Sequence, residues 1–141
     1  MTTVPDTYSR FGYVLALTER RLTAVLRQHL AARGVEPETW YALQLVATRG
    51  PALARTALSD ELASSRTLDP ESTRELLARL AAEGLIRGDD EVDLTDEGRA
   101  LHRSLAEYIA VPRNRLLGEL DPADVETTVR TLEAIAERAA A

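Results

Sequence analysis

Cysteine is absent from this chain, which removes disulfides, thiolate metal sites and thiol redox sensing at a stroke. Histidine is nearly absent. His29 and His102 are the only imidazoles, too few for a metal site, so neither a metal nor a cofactor is expected. Lysine is missing altogether, and all 17 basic residues are arginine, a usage we read as the codon bias of a GC-rich genome. Aromatics are scarce, with one Trp and one Phe, so the 45% hydrophobic content is mostly Ala, Leu and Val and favours helix over sheet. No apolar run is long enough to span a bilayer and no leader is evident, so a soluble, cytoplasmic protein with no membrane partner is expected. Enzyme signatures are also wanting: there is no Gly-rich phosphate loop, nucleophile elbow or metal-ligand spacing, and an enzyme is not expected. At 141 residues the chain is read as one domain, 1–141.

What is present is concentrated in Thr56–Gly98. Asp69 is a natural N-cap and Pro70 sits at the first helical position, where its missing N–H costs nothing. Thr73, Leu76, Leu77 and Leu80 then recur at i, i+3, i+4, i+7 and predict one buried stripe. Gly84 ends that helix. Leu85-Ile86-Arg87 and Glu91–Thr95 flank Gly88-Asp89-Asp90, which predicts a tight hairpin. A shorter helix, capped by Thr56 or Ser59 and ending near Ser64, precedes them. Helix, turn, helix and hairpin make a winged helix over 37–98, an architecture that usually reads DNA.

The flanks are helical too. Tyr8–Arg33, within a segment 7–34, predicts a helix of roughly 39 Å, and Met1–Asp6 is expected to be a loose tail. Its apolar stripe (Phe11, Leu15, Leu22, Val25, Leu26, Leu30) is too long for one subunit to bury. Trp40, Leu43, Leu45 and Val46 are the expected core of a second helix closed by Gly50-Pro51. Thr95 opens a connecting helix over 95–118 that Pro112 is expected to kink or break. Asp121-Pro122 starts a last helix, 121–141, with Asp124 placed for a capping box and Val125, Val129, Leu132, Ile135 and Ala136 on one face. The expected fold class is mostly α with a small β-hairpin wing.

The runs ELASSRTLDPESTRELLARL and LAAEGLIRGDDEVDLTDEGRAL resemble the helix-turn-helix and wing of MarR-type transcriptional regulators (multiple-antibiotic-resistance repressors), and the likeness extends loosely over Tyr8–Ala139. The resemblance implies a homodimer through 7–34 and 121–141, double-stranded DNA as partner, and an aromatic-lined ligand cleft. Carried onto this sequence, it implies DNA contacts from Arg55, Ser64, Ser65, Arg66, Glu71, Ser72, Arg74, Glu75, Arg79 and Arg87. It also implies a ligand site for a small aromatic or anionic molecule drawn from Tyr13, Trp40, Tyr41, Tyr108, His29, His102 and Arg21. For Trp40 and Tyr108 an ordinary core role is the alternative, and for each arginine a salt bridge to adjacent carboxylates.

Several residues depart from the family pattern. Glu71 and Glu75 stand where small polar or basic residues usually enter the major groove. Arg66 replaces a buried Leu, Thr67 a turn Gly, and Ser64-Ser65 the frequent Arg. The wing tip Gly88–Glu91 is short and acidic where the family carries an Arg. The link Pro51–Arg55 is several residues longer than usual.

Charge opposes the DNA reading. The chain carries −6 overall, yet Thr56–Gly98 holds only Arg66, Arg74, Arg79 and Arg87 against twelve acids, a net of −8. DNA readers gain much of their affinity by neutralising phosphates. A second reading therefore stands beside the regulator: a homologue that has lost DNA binding and binds small molecules or a protein, or, less favoured, is catalytic.

Overall fold

The computed structural model describes residues 4–66 and 68–141, leaving aside the side chains of 4, 5, 65 and 66. Six helices and three short strands follow in the order α1 (Val4–Ala31), α2 (Pro37–Arg49), β1 (Leu53–Ala54), α3 (Arg55–Arg66), α4 (Pro70–Ala82), β2 (Ile86–Arg87), β3 (Glu91–Leu94), α5 (Asp96–Leu117) and α6 (Pro122–Ala140). The chain is mostly α with a small antiparallel sheet, as its composition and patterning predict. It divides into two compact units, Met1–Glu107 and Tyr108–Ala141, with the division inside α5.

The first unit holds the core. Leu30, Leu43, Leu58, Leu62, Leu77, Leu80, Val92 and Leu105 are fully buried and come from α1, α2, α3, α4, β3 and α5. The stripe of α4 lies inward as its spacing requires, with Thr73, Leu76, Leu77 and Leu80 all buried. In α2, Trp40, Leu43 and Val46 are buried, while Leu45 is only half-buried. Fully burying each such leucine contributes roughly 1.5–3 kcal/mol.

The termini of α4 are built as their residues dictate. The Asp69 carboxylate accepts from the Ser72 N–H at 2.7 Å, and Gly84 takes a positive φ of 76° just past the helix end. The Thr95 hydroxyl donates to the Gly84 carbonyl and accepts from the Gly98 N–H at 3.0 Å, so one side chain joins the end of α4 to the start of α5.

The wing is a three-stranded sheet in the order β1-β3-β2. Its hairpin pairs Ile86 with Leu94 and Arg87 with Asp93. The third strand was not expected: Leu53 and Ala54 pair with Val92 and Glu91. This pairing places two residues of the Pro51–Arg55 link in the sheet. Gly50-Pro51-Ala52 turns the chain back, and the Ala52 N–H donates to Asp93 Oδ1 at 2.6 Å. Because β1 runs straight into α3, that helix begins at Arg55, and neither Thr56 nor Ser59 caps it.

Three further expectations need correction. Residues 4–6, expected in a loose tail, belong to α1, which is already helical at Val4; Met1–Thr3 lie outside the described residues. Pro112 does not break α5, which stays helical from Asp96 to Leu117. A proline forfeits one bond, here to the Tyr108 carbonyl, and the ladder resumes on either side. In the second unit, the Asp121 carboxylate caps α6 by accepting from the Ala123 N–H at 2.9 Å, with no reciprocal bond from Asp124 among the described residues. No residue of α6 is buried. No helix among the described residues is long and apolar enough to cross a membrane.

Candidate nucleic-acid interface

Helix α4 buries one face and leaves the other open. Glu71, Ser72, Arg74, Glu75, Ala78 and Ala82 are exposed, so the outward surface is the one a winged helix would bring to a groove. It carries two carboxylates one turn apart and one arginine. Ser64 is exposed near the end of α3. The side chains of Ser65 and Arg66, together with Thr67 in the turn, lie outside the described residues.

The cationic residues fall into two classes. Arg74 and Arg87 are exposed, and neither makes an ion pair among the described residues. Arg79 and Arg55 are engaged within the chain. Arg79 donates to Thr39 Oγ1 at 3.3 Å and faces Glu36 at 3.8 Å and Glu83 at 4.0 Å. Arg55 directs its guanidinium at carbonyls of the wing, Gly88 at 2.9 Å and Asp89 at 2.6 Å. Asp69, at the start of α4, is shifted in its titration. The Ser72 hydrogen bonds hold its carboxyl below the ordinary carboxylate range, and the Arg74 charge assists.

Beside α4 lies an open groove of about 400 Å³, lined by Glu36, Glu38, Leu68, Ser72, Glu75, Leu76 and Arg79. Two of its three carboxylates come from the N-terminal end of α2, outside the acidic stretch Thr56–Gly98. Folding therefore adds negative charge beside the outward face of α4. Nothing local in the sequence around Glu36 and Glu38 signals this, because the juxtaposition is made by α2 packing on α4.

The residues proposed for a ligand site are only partly brought together. Trp40 is buried and its ring stacks on His102, centroids 5.3 Å apart and 7° from parallel. His102 Nε2 lies 2.7 Å from Gln44 Oε1, one helical turn beyond Trp40. Burial, aided by the nearby Arg103 charge, lowers the His102 pKa and favours the neutral ring, which donates to Gln44. Gln44 was not among the expected residues; its i, i+4 spacing from Trp40 was the signal available. Tyr41 is buried, His29 half-buried, and Arg21 and Tyr13 are exposed, Tyr13 at 65%. Tyr108, half-buried, belongs to the second unit. Among the described residues no group of three or more His, Cys, Asp or Glu is arranged to hold a metal ion.

No family model and no curated protein matches the sequence. Solved structures do match. A MarR family transcriptional regulator from Silicibacter pomeroyi superposes with a TM-score of 0.78 at 20% identity, covering 96% of this chain and 93% of its own. A MarR family protein of Mycobacterium tuberculosis, solved in complex with DNA, gives 0.64 at 26% identity, covering 88% and 95%. CouR from Rhodococcus jostii, bound to p-coumaroyl-CoA, gives 0.72 at 19% identity, covering 89% and 91%. All three superpose along nearly the whole chain, and this chain has the MarR-type winged-helix fold.

Proposed function

We propose that this chain is a MarR-type transcriptional regulator, a homodimer that binds double-stranded DNA through α4 and responds to a small aromatic or anionic ligand near Trp40. The observation that carries the proposal is the open outward face of α4 beside an intact wing, in a fold shared along nearly the whole chain with regulators. The DNA-bound mycobacterial neighbour and the ligand-bound CouR support the two partners by analogy of fold. In this reading Arg74 and Arg87 meet phosphates, aided by Ser64, Ser65, Arg66 and Ser72. Glu71 and Glu75 accept from cytosine N4 amines, the base group a carboxylate can read. With few phosphate contacts, binding is weak and its salt dependence shallow.

A second reading, a homologue that no longer binds DNA, is favoured by the acidic groove at Glu36, Glu38 and Glu75 and by the internal engagement of Arg55 and Arg79. One experiment separates them: fluorescence anisotropy of purified protein on its own upstream duplex and on a random duplex, from about 50 to 200 mM salt. Selective binding to the upstream duplex supports the regulator. Absence of binding to either at the lowest salt supports the alternative. The single tryptophan reports the ligand: quenching by phenolic or anionic aromatics, with a raised melting temperature, is expected.

A further inference from the structure

The tip of the wing is held from outside the hairpin. Gly88, Asp89 and Asp90 turn the chain between β2 and β3, and the carbonyl oxygens of all three accept from one residue. Arg55 Nη2 donates to Gly88 O at 2.9 Å, Nε to Asp89 O at 2.6 Å, and the Arg55 backbone N–H to Asp90 O at 2.8 Å. Arg55 opens α3 directly after β1, whose two residues pair with Val92 and Glu91 on the same hairpin. Gly88 has a φ of 104°, and a Cβ there would stand 1.9 Å from the Glu91 carbonyl, so the turn admits no other residue. A hairpin whose β2 has two residues is marginal by itself. Three outside donors supply what its own ladder lacks.

The use of the guanidinium matters as much as its position. Its planar fork presents donors in fixed directions, and two of them are spent on adjacent carbonyls. The side chain is half-buried, whereas Arg74 and Arg87 stand exposed. A side chain so committed is poorly placed to leave for a phosphate, because its departure gives up the Gly88 and Asp89 carbonyls at once.

We propose that Arg55 is a wing-positioning residue and not a phosphate contact: it clamps the Gly88–Asp90 turn against the start of α3. The clamp fixes the exposed carboxylates of Asp89, Asp90 and Glu91 at the tip, so the wing presents rigid negative charge. On the DNA-binding reading, which this part rests on, the tip stays out of the minor groove and base selection falls to α4.

The clamp is tested first on the wild-type protein without DNA. Backbone ¹⁵N relaxation is expected to give order parameters near 0.85 at Gly88, Asp89 and Asp90, as in the helices, with a slowly exchanging Arg55 Nε–H signal. Tip values below about 0.6 overturn the clamp, and no variant is needed for that outcome. In Arg55→Gln and in Arg55→Lys the tip values are expected to fall below about 0.6 with α4 unchanged, since an ammonium cannot reproduce the fork. Anisotropy over a salt series then separates clamp from phosphate contact. A clamp leaves the salt slope of Arg55→Gln at the wild-type value, and Lys does not rescue affinity. A slope shallower by about one, restored by Lys, identifies a phosphate contact and overturns the proposal. If wild type binds no duplex, the DNA reading fails while relaxation still decides the clamp.

Discussion

Gly98 shows how much one missing methyl group can carry. It is buried in the first turn of α5, and a Cβ there would stand 2.0 Å from the Leu85 carbonyl oxygen. Ala is the better helix former by about 1 kcal/mol, but overpacking against a fixed backbone oxygen costs about 3 kcal/mol and wins. Gly98→Ala is therefore expected to destabilise by about 2 kcal/mol, read by denaturant melts. His102 supplies a second test at this scale. Its folded pKa lies below the ordinary value of about 6.5, so the unfolded chain binds the proton first. The stability it contributes is complete above about pH 6.5 and is lost as pH falls through the lowered folded value. Thermal melts from pH 8 to 5 should show this loss in wild type and not in His102→Phe, which keeps an aromatic partner for Trp40 without titrating. An equal loss in both would place the titration elsewhere.

Helices were legible wherever caps and stripes agreed. Asp69-Pro70 with Thr73, Leu76, Leu77 and Leu80 located α4 and its inward face, and Gly88-Asp89-Asp90 located the wing turn. Strand β1 was not legible, because two residues have no period and Leu53-Ala54 become a strand only through pairing with Val92 and Glu91 some forty residues on. The continuity of α5 through Pro112 was missed because a proline removes one bond without forbidding the rest. At the candidate site, the exposure of Glu71 and Glu75 followed from the helical wheel, whereas the engagement of Arg55 and Arg79 followed from tertiary neighbours. Arg79 yields a prediction at this scale. Glu36→Gln removes one of the carboxylates facing it across the α2–α4 groove; the pair is largely exposed, so stability should change by less than about 0.5 kcal/mol. Affinity for a random duplex should rise, measured by anisotropy at low salt. Unchanged affinity would mean that Arg79 does not meet phosphate even when released.

At the scale of the molecule, unburied apolar surface is the largest open account. Phe11, Leu15, Leu22 and Val25 of α1 are exposed, and so are Val129 and Ile135 of α6. Apolar stripes of this length on helices of 28 and 19 residues are what a second copy would cover. Light scattering at micromolar concentration should give a dimer, with Leu22→Asp and Val129→Asp each shifting it toward monomer; a wild-type monomer would remove the dimer reading. The knot at Thr95 has a mechanical meaning in such an assembly. Its hydroxyl grips the Gly84 carbonyl and the Gly98 N–H while Gly98 lies against Leu85, so no slack separates α4 from α5. A twist imposed on the first turn of α5 is expected to reach α4 through these contacts, as through a crank.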